Sequence, residues 1–352
     1  MDELMQWFGP ERYERQMAQA ARFWDGEGRC LVSLQTSAHG YRQIFDPALI
    51  RQEAPLALRA QAELHGCNLP AFFADFGTVS TARYWGGRLV PPKDGAMIYI
   101  HPAAQTVEEA LALRPRPVDD PELDAAVGTR LWREVSEALH TDKLWYRTID
   151  MQGPLNTAGL VMNQEEMFMA MYETPDLVAQ FVDRVAEFLI ELAQYQRTQT
   201  QGKVCGNIWP WPFYPAERGV GLTEDLMPLL PPDLYARFAF PALKRMQAAL
   251  GGLLIHCCGQ YGRHVPALVD SGLRIDAIEF HHPATTLEEV LPLALRGTVL
   301  IPYCMTDHQE QFKTGLSYWR WLLQNTPKEV RFWFAAGDTP EDRAFAEEFG
   351  AQ

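Results

Sequence analysis

The stretch Leu253-Leu-Ile-His-Cys-Cys-Gly-Gln260 sets His256 and Cys258 two residues apart at the end of an apolar run. Side chains alternate across a strand, so Leu254, His256 and Cys258 point to one side while Leu253, Ile255 and Cys257 point to the other. An imidazole nitrogen and a thiolate sulfur on one face suit zinc. The pair also fits a packed core, since cysteine is among the most buried residue types and a histidine beside it is often only hydrogen-bonded. What separates the two readings is whether other ligand-type residues converge on the same place.

Strands must deliver them there. Eight short β-rich runs can be counted: Cys30–Gln35, Leu69–Asp75, Leu144–Met151, Lys203–Asn207, Gly252–His256, Ile275–Phe280, Thr298–Pro302 and Glu329–Phe334. Amphipathic segments lie between them, among them Pro47–His65, Pro175–Thr198, Pro232–Leu250, Gly262–Asp270, Thr286–Leu295 and Gln309–Asn325. Several open on a proline or a capping residue and carry apolar residues every three or four positions. Strands alternating with helices predict an α/β fold, a single (β/α)8 TIM barrel spanning 1–352. A charged helical extension, MDELMQWFGPERYERQMAQA, precedes it, and GGRLVPPKDGAMIYI (86–100) reads as a hairpin inserted after the second strand.

In such a barrel the chemistry belongs at the C-terminal ends of the strands. Asp75 closes the second run, Asp150 the third, Cys205 and Asn207 the fourth, His256 and Cys258 the fifth and Glu279 the sixth, with Cys304 just past the seventh. Strands five to seven are neighbours, so His256, Cys258, Cys304 and Glu279 are the expected metal set. This would be Cys2His with a carboxylate for the fourth position, the one a catalytic zinc usually keeps exchangeable.

The chain carries a formal charge of −14 and is 47% apolar. Without clustered Lys and Arg it has no footprint for nucleic acid. No apolar run approaches the ~20 residues of a membrane span. The N-terminus lacks the basic and apolar regions of a signal peptide. Six cysteines, at 30, 67, 205, 257, 258 and 304, are too irregular for a disulfide framework, so a reducing cytoplasm is the expected setting.

Further motifs are Gln152-Gly-Pro-Leu-Asn-Thr-Ala158, Met171-Tyr-Glu-Thr-Pro-Asp176, Leu222-Thr-Glu-Asp225, Leu230-Pro-Pro-Asp-Leu-Tyr235, Phe240-Pro241 and Gly251–Gly259. In order and spacing they resemble the uroporphyrinogen decarboxylase superfamily along nearly the whole chain. The resemblance implies a (β/α)8 barrel and one of two chemistries, tetrapyrrole decarboxylation or zinc-dependent methyl transfer with a corrinoid. The decarboxylase branch is marked by an arginine-rich first loop, an Asp, a Tyr and a late His. Here the loop Leu34-Gln-Thr-Ser-Ala-His-Gly-Tyr-Arg42 offers one arginine, Leu160 stands where the Tyr would be, and Ala335-Ala-Gly-Asp338 occupies the late His region. Asp75 resembles the catalytic Asp. A polyanionic tetrapyrrole would meet an acidic protein without compensating charge.

The methyltransferase branch is the closer match. His256 and Cys258 correspond to its His-x-Cys pair and Glu279 to its acidic residue, while its last-strand Cys is replaced by Ala335-Ala-Gly337, leaving Cys304, one strand earlier, as a substitute. The resemblance implies zinc holding an acceptor thiol as the thiolate, and a methylated corrinoid supplied by a partner protein. Trp209, Trp211 and Tyr214, in Trp-Pro-Trp-Pro-Phe-Tyr, have the amphipathic character for a flat macrocycle or a partner surface, and equally for a rigid loop capping the core. Exposed aromatic loops leave room for a homodimer.

His281 and His282 offer a supporting donor or an alternative ligand, though paired histidines in loops commonly face solvent. Asp75 and Glu279 are the candidate catalytic carboxylates. Cys205 and Cys257 are expected to pack, Cys30 and Cys67 to be structural, and Glu341–Glu348 to be the solvated face of the last helix. A carboxy-lyase centred on Asp75 and a non-catalytic metal- or tetrapyrrole-binding barrel are the alternatives.

Overall fold

The computed structural model describes residues 2–35, 46–64, 68–74, 76–90, 99–206, 211–304 and 312–349. In chain order its strands are β1 (Cys30–Leu34), β2 (Ala71–Phe72), β3 (Arg88–Val90), β4 (Tyr99–His101), β5 (Trp145–Arg147), β6 (Val204–Cys205), β7 (Gly219–Thr223), β8 (Gly252–His256), β9 (Ile275–His282), β10 (Val299–Cys304) and β11 (Phe332–Ala336). Each of the eight expected runs overlaps one of these, with β9, β10 and β11 running two residues further. The helix expected at Pro232–Leu250 forms with those bounds, and that expected at Pro175–Thr198 extends one residue further, to Gln199. Antiparallel β3 and β4 are the arms of the inserted hairpin, whose turn lies outside the described residues.

Parallel pairing builds a six-stranded sheet, β1-β11-β10-β9-β8-β7, and a three-stranded sheet, β2-β5-β6. They meet where Thr223 at the end of β7 bridges to Gln152, with Gly153 N–H donating to Thr223 O at 2.9 Å. With helices flanking the sheet this is an α/β barrel fold.

β7 is the strand that sequence patterning misses. Its Gly-Val-Gly-Leu-Thr falls in none of the eight runs, because two glycines remove the side chains that would signal alternation. Structure requires the first of them. A Cβ on Gly219 would land on the carbonyl oxygen of Gly252 in β8 and 2.5 Å from Tyr214 Oη. Gly219→Ala should therefore destabilise the fold by about 3 kcal/mol or more, because the obstacle is backbone and cannot rotate away. A shift of less than ~1 kcal/mol in urea unfolding would contradict this packing.

Alternation sorts the strand residues into two cores. Leu31, Ala71, Cys205, Leu254, Ala277, Val299, Ile301 and Trp333 pack together inside, joined by Tyr13, Phe23 and Trp24 of the helix Pro10–Trp24. Leu253, Ile255, Cys257, Ile278, Phe280, Leu300 and Phe334 face the other way, against the outer helices. The N-terminal extension is thus part of the fold: Trp24 stacks on Trp333 at 5.7 Å and donates from Nε1 to Phe213 O at 2.7 Å, closing the end where the strands begin. Among the described residues no helix is long and apolar enough to cross a membrane.

Candidate metal centre

Register assembles the site. Leu253 pairs with Ile275 but Leu254 pairs with Ala277, so Asp276 is the extra residue of a bulge in β9. The ladder then runs on with Ile255 beside Ile278, which sets His256 beside Glu279. On the other side Thr223 pairs with His256, and Glu224 N–H donates to His256 O at 2.8 Å, so Asp225 follows alongside Cys258. Three neighbouring strands therefore send Asp225, His256, Cys258, Glu279 and His281 to one mouth.

Two trios of ligand-type atoms result, each with its atoms within 4.8 Å of one another: Asp225, His256 and Cys258; and His256, Glu279 and His281. His256 belongs to both. Its Nδ1 lies 2.9 Å from Glu279 Oε2, and the other Glu279 oxygen lies 2.5 Å from His281 Nε2. Its Nε2 lies 3.9 Å from Asp225 Oδ1, which is 3.5 Å from Cys258 Sγ and also accepts from Cys258 N–H at 3.3 Å. Glu279 is wholly buried, whereas Cys258 is exposed and the Asp225 side chain keeps 42% of its accessibility.

Burial alone would strip the proton from His256 and add one to Glu279. Their proximity outweighs it: the carboxylate holds the His256 pKa well above the ordinary imidazole value, and His256 and His281 together hold Glu279 below the usual carboxylate range. Both Glu279 oxygens and His256 Nδ1 are buried without a hydrogen bond of good geometry. The centre is built around positive charge, supplied by an imidazolium proton or by a metal ion. A donor set of sulfur, imidazole nitrogen and carboxylate oxygen at a partly open mouth fits zinc.

The supports are local. Tyr261 Oη donates to Glu279 O at 2.9 Å, and Thr285 Oγ1 both donates to Gly259 O and accepts from Tyr261 N–H, each at 3.0 Å. The Cys258–Tyr261 turn is thereby fastened to β9. Tyr303 covers the far side of His281, ring centroids 4.9 Å apart.

Of the residues singled out in sequence, His256, Cys258 and Glu279 come together. Cys304 does not. It is paired in register with His282, whereas Glu279 is paired with Ile301 and His281 with Tyr303, so Cys304 points outward into the helix-facing core and joins neither trio. Tyr214 is likewise corrected: it is fully buried, donates to Asp276 Oδ2 at 2.9 Å near the start of β9 and packs on Trp24, at the end of the barrel away from the mouth. The chain turns back after β6, pairing Cys205 with Pro215 in antiparallel sense, which carries Phe213 and Tyr214 down into the core. Trp211 remains partly exposed, its ring 5.6 Å from that of Phe73. Asp75 and Trp209 lie outside the described residues.

Sequence reading assigned no role to Asp225 or Glu224, whereas His281, raised there as a supporting donor or alternative ligand, does meet Glu279. Recognising Gly219–Thr223 as a strand would have exposed the first, since Asp225 stands two residues past its end. Glu224 points to the outer side: Tyr235 Oη donates to its Oε2 at 2.9 Å and burial pushes its pKa up to about 8.

An α/β barrel with a histidine, cysteine and carboxylate cluster at its C-terminal mouth is thus the class that fold and site define. Among solved structures, a methyltransferase from Methanosarcina mazei is similar to this chain with a TM-score of 0.65 and 13% identity, over 95% of this chain and 98% of that one. A protein from Burkholderia cenocepacia J2315 described as a lyase/mutase matches with a TM-score of 0.32 and 11% identity, over 95% and 84%. No protein-family model and no curated protein sequence matches the chain.

Proposed function

We propose that this chain is a zinc-dependent methyltransferase of the uroporphyrinogen decarboxylase superfamily, passing a methyl group from a methylated corrinoid on a partner protein to a small thiol or similar acceptor. The observation that carries the reading is the convergence of His256 Nε2 and Cys258 Sγ at the barrel mouth with carboxylates on both sides of the imidazole. The fold shared with a methyltransferase over nearly the full length of both chains supports it. Zinc bound there would hold an acceptor thiol as its thiolate at neutral pH.

The chain's own residues have separable tasks. Cys258 and the Nε2 lone pair of His256 bind. Glu279 holds the proton at His256 Nδ1 and so turns Nε2 toward the mouth, and His281 steadies Glu279 from behind. Leu254, Ala277 and Ile301 close the interior below, so the reacting groups meet a dry floor.

The test is zinc-dependent methylation of a panel of small thiols with methylcobalamin as donor, using protein purified without chelator. Methyl transfer that is lost on zinc removal and restored on its return is expected. A zinc-loaded protein that methylates none of the thiols would count against the reading.

A carboxy-lyase acting on a small carboxylated substrate is favoured by one observation. Arg147, at the end of β5, has no carboxylate partner among the described residues; its Nη1 reaches only the carbonyls of Gly206 at 3.5 Å and Pro212 at 3.4 Å, and burial lowers its pKa. A guanidinium so placed suits a substrate carboxylate. Metal-free decarboxylation surviving Cys258→Ser would select this reading over methyl transfer.

A further inference from the structure

We propose that Asp225 is the third protein ligand of the metal centre, and that Glu279 and His281 are not ligands but an inner brace that orients His256. The inference rests on the metal reading above and assigns the place of a missing last-strand cysteine to a residue four strands away in the sheet.

Spacing decides between the two trios. Ligands held at about 2.0–2.1 Å for nitrogen and oxygen and about 2.3 Å for sulfur, in a tetrahedron, stand about 3.3–3.6 Å from one another. Cys258 Sγ and Asp225 Oδ1 are 3.5 Å apart, inside that window, and His256 Nε2 and Asp225 Oδ1 at 3.9 Å are a few tenths beyond it. A small turn of the partly exposed Asp225 side chain closes the difference. In the inner trio Glu279 is 2.9 Å from one imidazole and 2.5 Å from the other. Those distances are shorter than the separation of two ligands on one tetrahedral ion.

Charge points the same way. One thiolate and one carboxylate with a neutral imidazole balance a divalent ion, whereas adding Glu279 would leave a surplus negative charge in a wholly buried place. Glu279 instead has His281 against its second oxygen. A carboxylate behind the ring nitrogen that does not bind metal is the usual way a ligating histidine is fixed in tautomer and direction. Openness agrees as well: Cys258 is exposed and Asp225 is partly so, which leaves a fourth position facing the mouth for an incoming group.

The experiment measures metal content and zinc affinity by chelator competition, together with the absorption of the cobalt(II)-substituted protein, for the unaltered full chain and for Asp225→Ala, Asp225→Cys, Glu279→Gln and Cys304→Ser. Asp225→Ala should weaken zinc by more than ~100-fold, Glu279→Gln by ~10–100-fold as expected of an orienting partner, and Cys304→Ser by less than ~3-fold. Asp225→Cys should retain metal and about double the thiolate-to-cobalt absorption, because a second sulfur joins the first. That gain cannot come from misfolding. If Asp225→Ala binds zinc as tightly as the unaltered chain and Asp225→Cys leaves the thiolate absorption unchanged, the assignment is overturned while the metal reading stands. Loss of metal in Glu279→Gln with retention in Asp225→Ala would move the ion to the inner trio and overturn it too. An unaltered chain that takes up no zinc sinks the metal reading itself, and the assignment with it.

Discussion

His256→Ala should abolish stoichiometric zinc binding and also lower the stability of the fold, whereas Cys258→Ser should abolish the first and leave the second within ~1 kcal/mol. The asymmetry follows from where the two side chains sit. His256 stands between the wholly buried Glu279 and the mouth, with Nδ1 2.9 Å from the carboxylate. Removing the ring leaves Glu279 with His281 as its remaining imidazole neighbour and takes away much of what holds its pKa down, so a buried ion loses part of its compensation. Breaking a buried pair by deleting one partner typically costs about 3–5 kcal/mol. About 2–3 kcal/mol is expected here, because His281 persists. Cys258 is exposed, and its deletion exposes no buried charge. Zinc content by elemental analysis and urea unfolding of metal-free protein check the two parts separately. Equal stability losses in both variants would mean that Glu279 is not braced as described.

Glu224→Gln should stabilise the protein at pH 8 by about 1–3 kcal/mol and change it much less at pH 5. Burial raises the Glu224 pKa from 4.5 to about 8, opposed by the Tyr235 hydroxyl and reinforced by the neighbouring Asp225 charge. A carboxyl whose folded pKa lies above its unfolded value holds its proton more tightly in the native state. Its contribution is fully present below about 4.5 and is lost as pH rises toward about 8. At pH 8 the native state therefore carries a buried carboxylate or holds a proton that the unfolded chain would release. Glutamine keeps an oxygen to accept from Tyr235 Oη and does not titrate, so that loss disappears. The gain stays below the full linkage value, because the buried Oε1 position has no hydrogen-bond partner and an amide there remains unsatisfied. Urea midpoints at the two pH values provide the check. A stability difference that is the same at both would show that Glu224 does not titrate in this range.

Much of this architecture is legible in the residues alone. Runs such as Gly252–His256 and Ile275–Phe280 are apolar, short and bounded by turn residues, and each forms a strand where expected. The helix Pro232–Leu250 is framed by a proline at its start and Gly251, at φ 105°, past its end, which is why its limits can be read directly. His256 and Cys258 share a face because strand alternation is a local rule. By contrast β7 was hidden, because Gly219 is there to let backbones approach, a need that arises only once β8 lies alongside.

What sequence by itself determined is therefore everything set by neighbours along the chain: the alternation of strands and helices, the pairing of His256 with Cys258 on one face, and the gathering of polar residues at strand ends. Tertiary structure alone decided which of those residues meet. One extra residue, Asp276, shifts β9 so that Glu279 rather than Ile278 stands beside His256. Because side chains alternate with period two, a shift of one residue exchanges the faces of a strand. The same parity turns Cys304 outward with His282, and the register of β7 on β8 brings Asp225 to Cys258. Register is a property of two strands in contact, so no pattern within either one contains it.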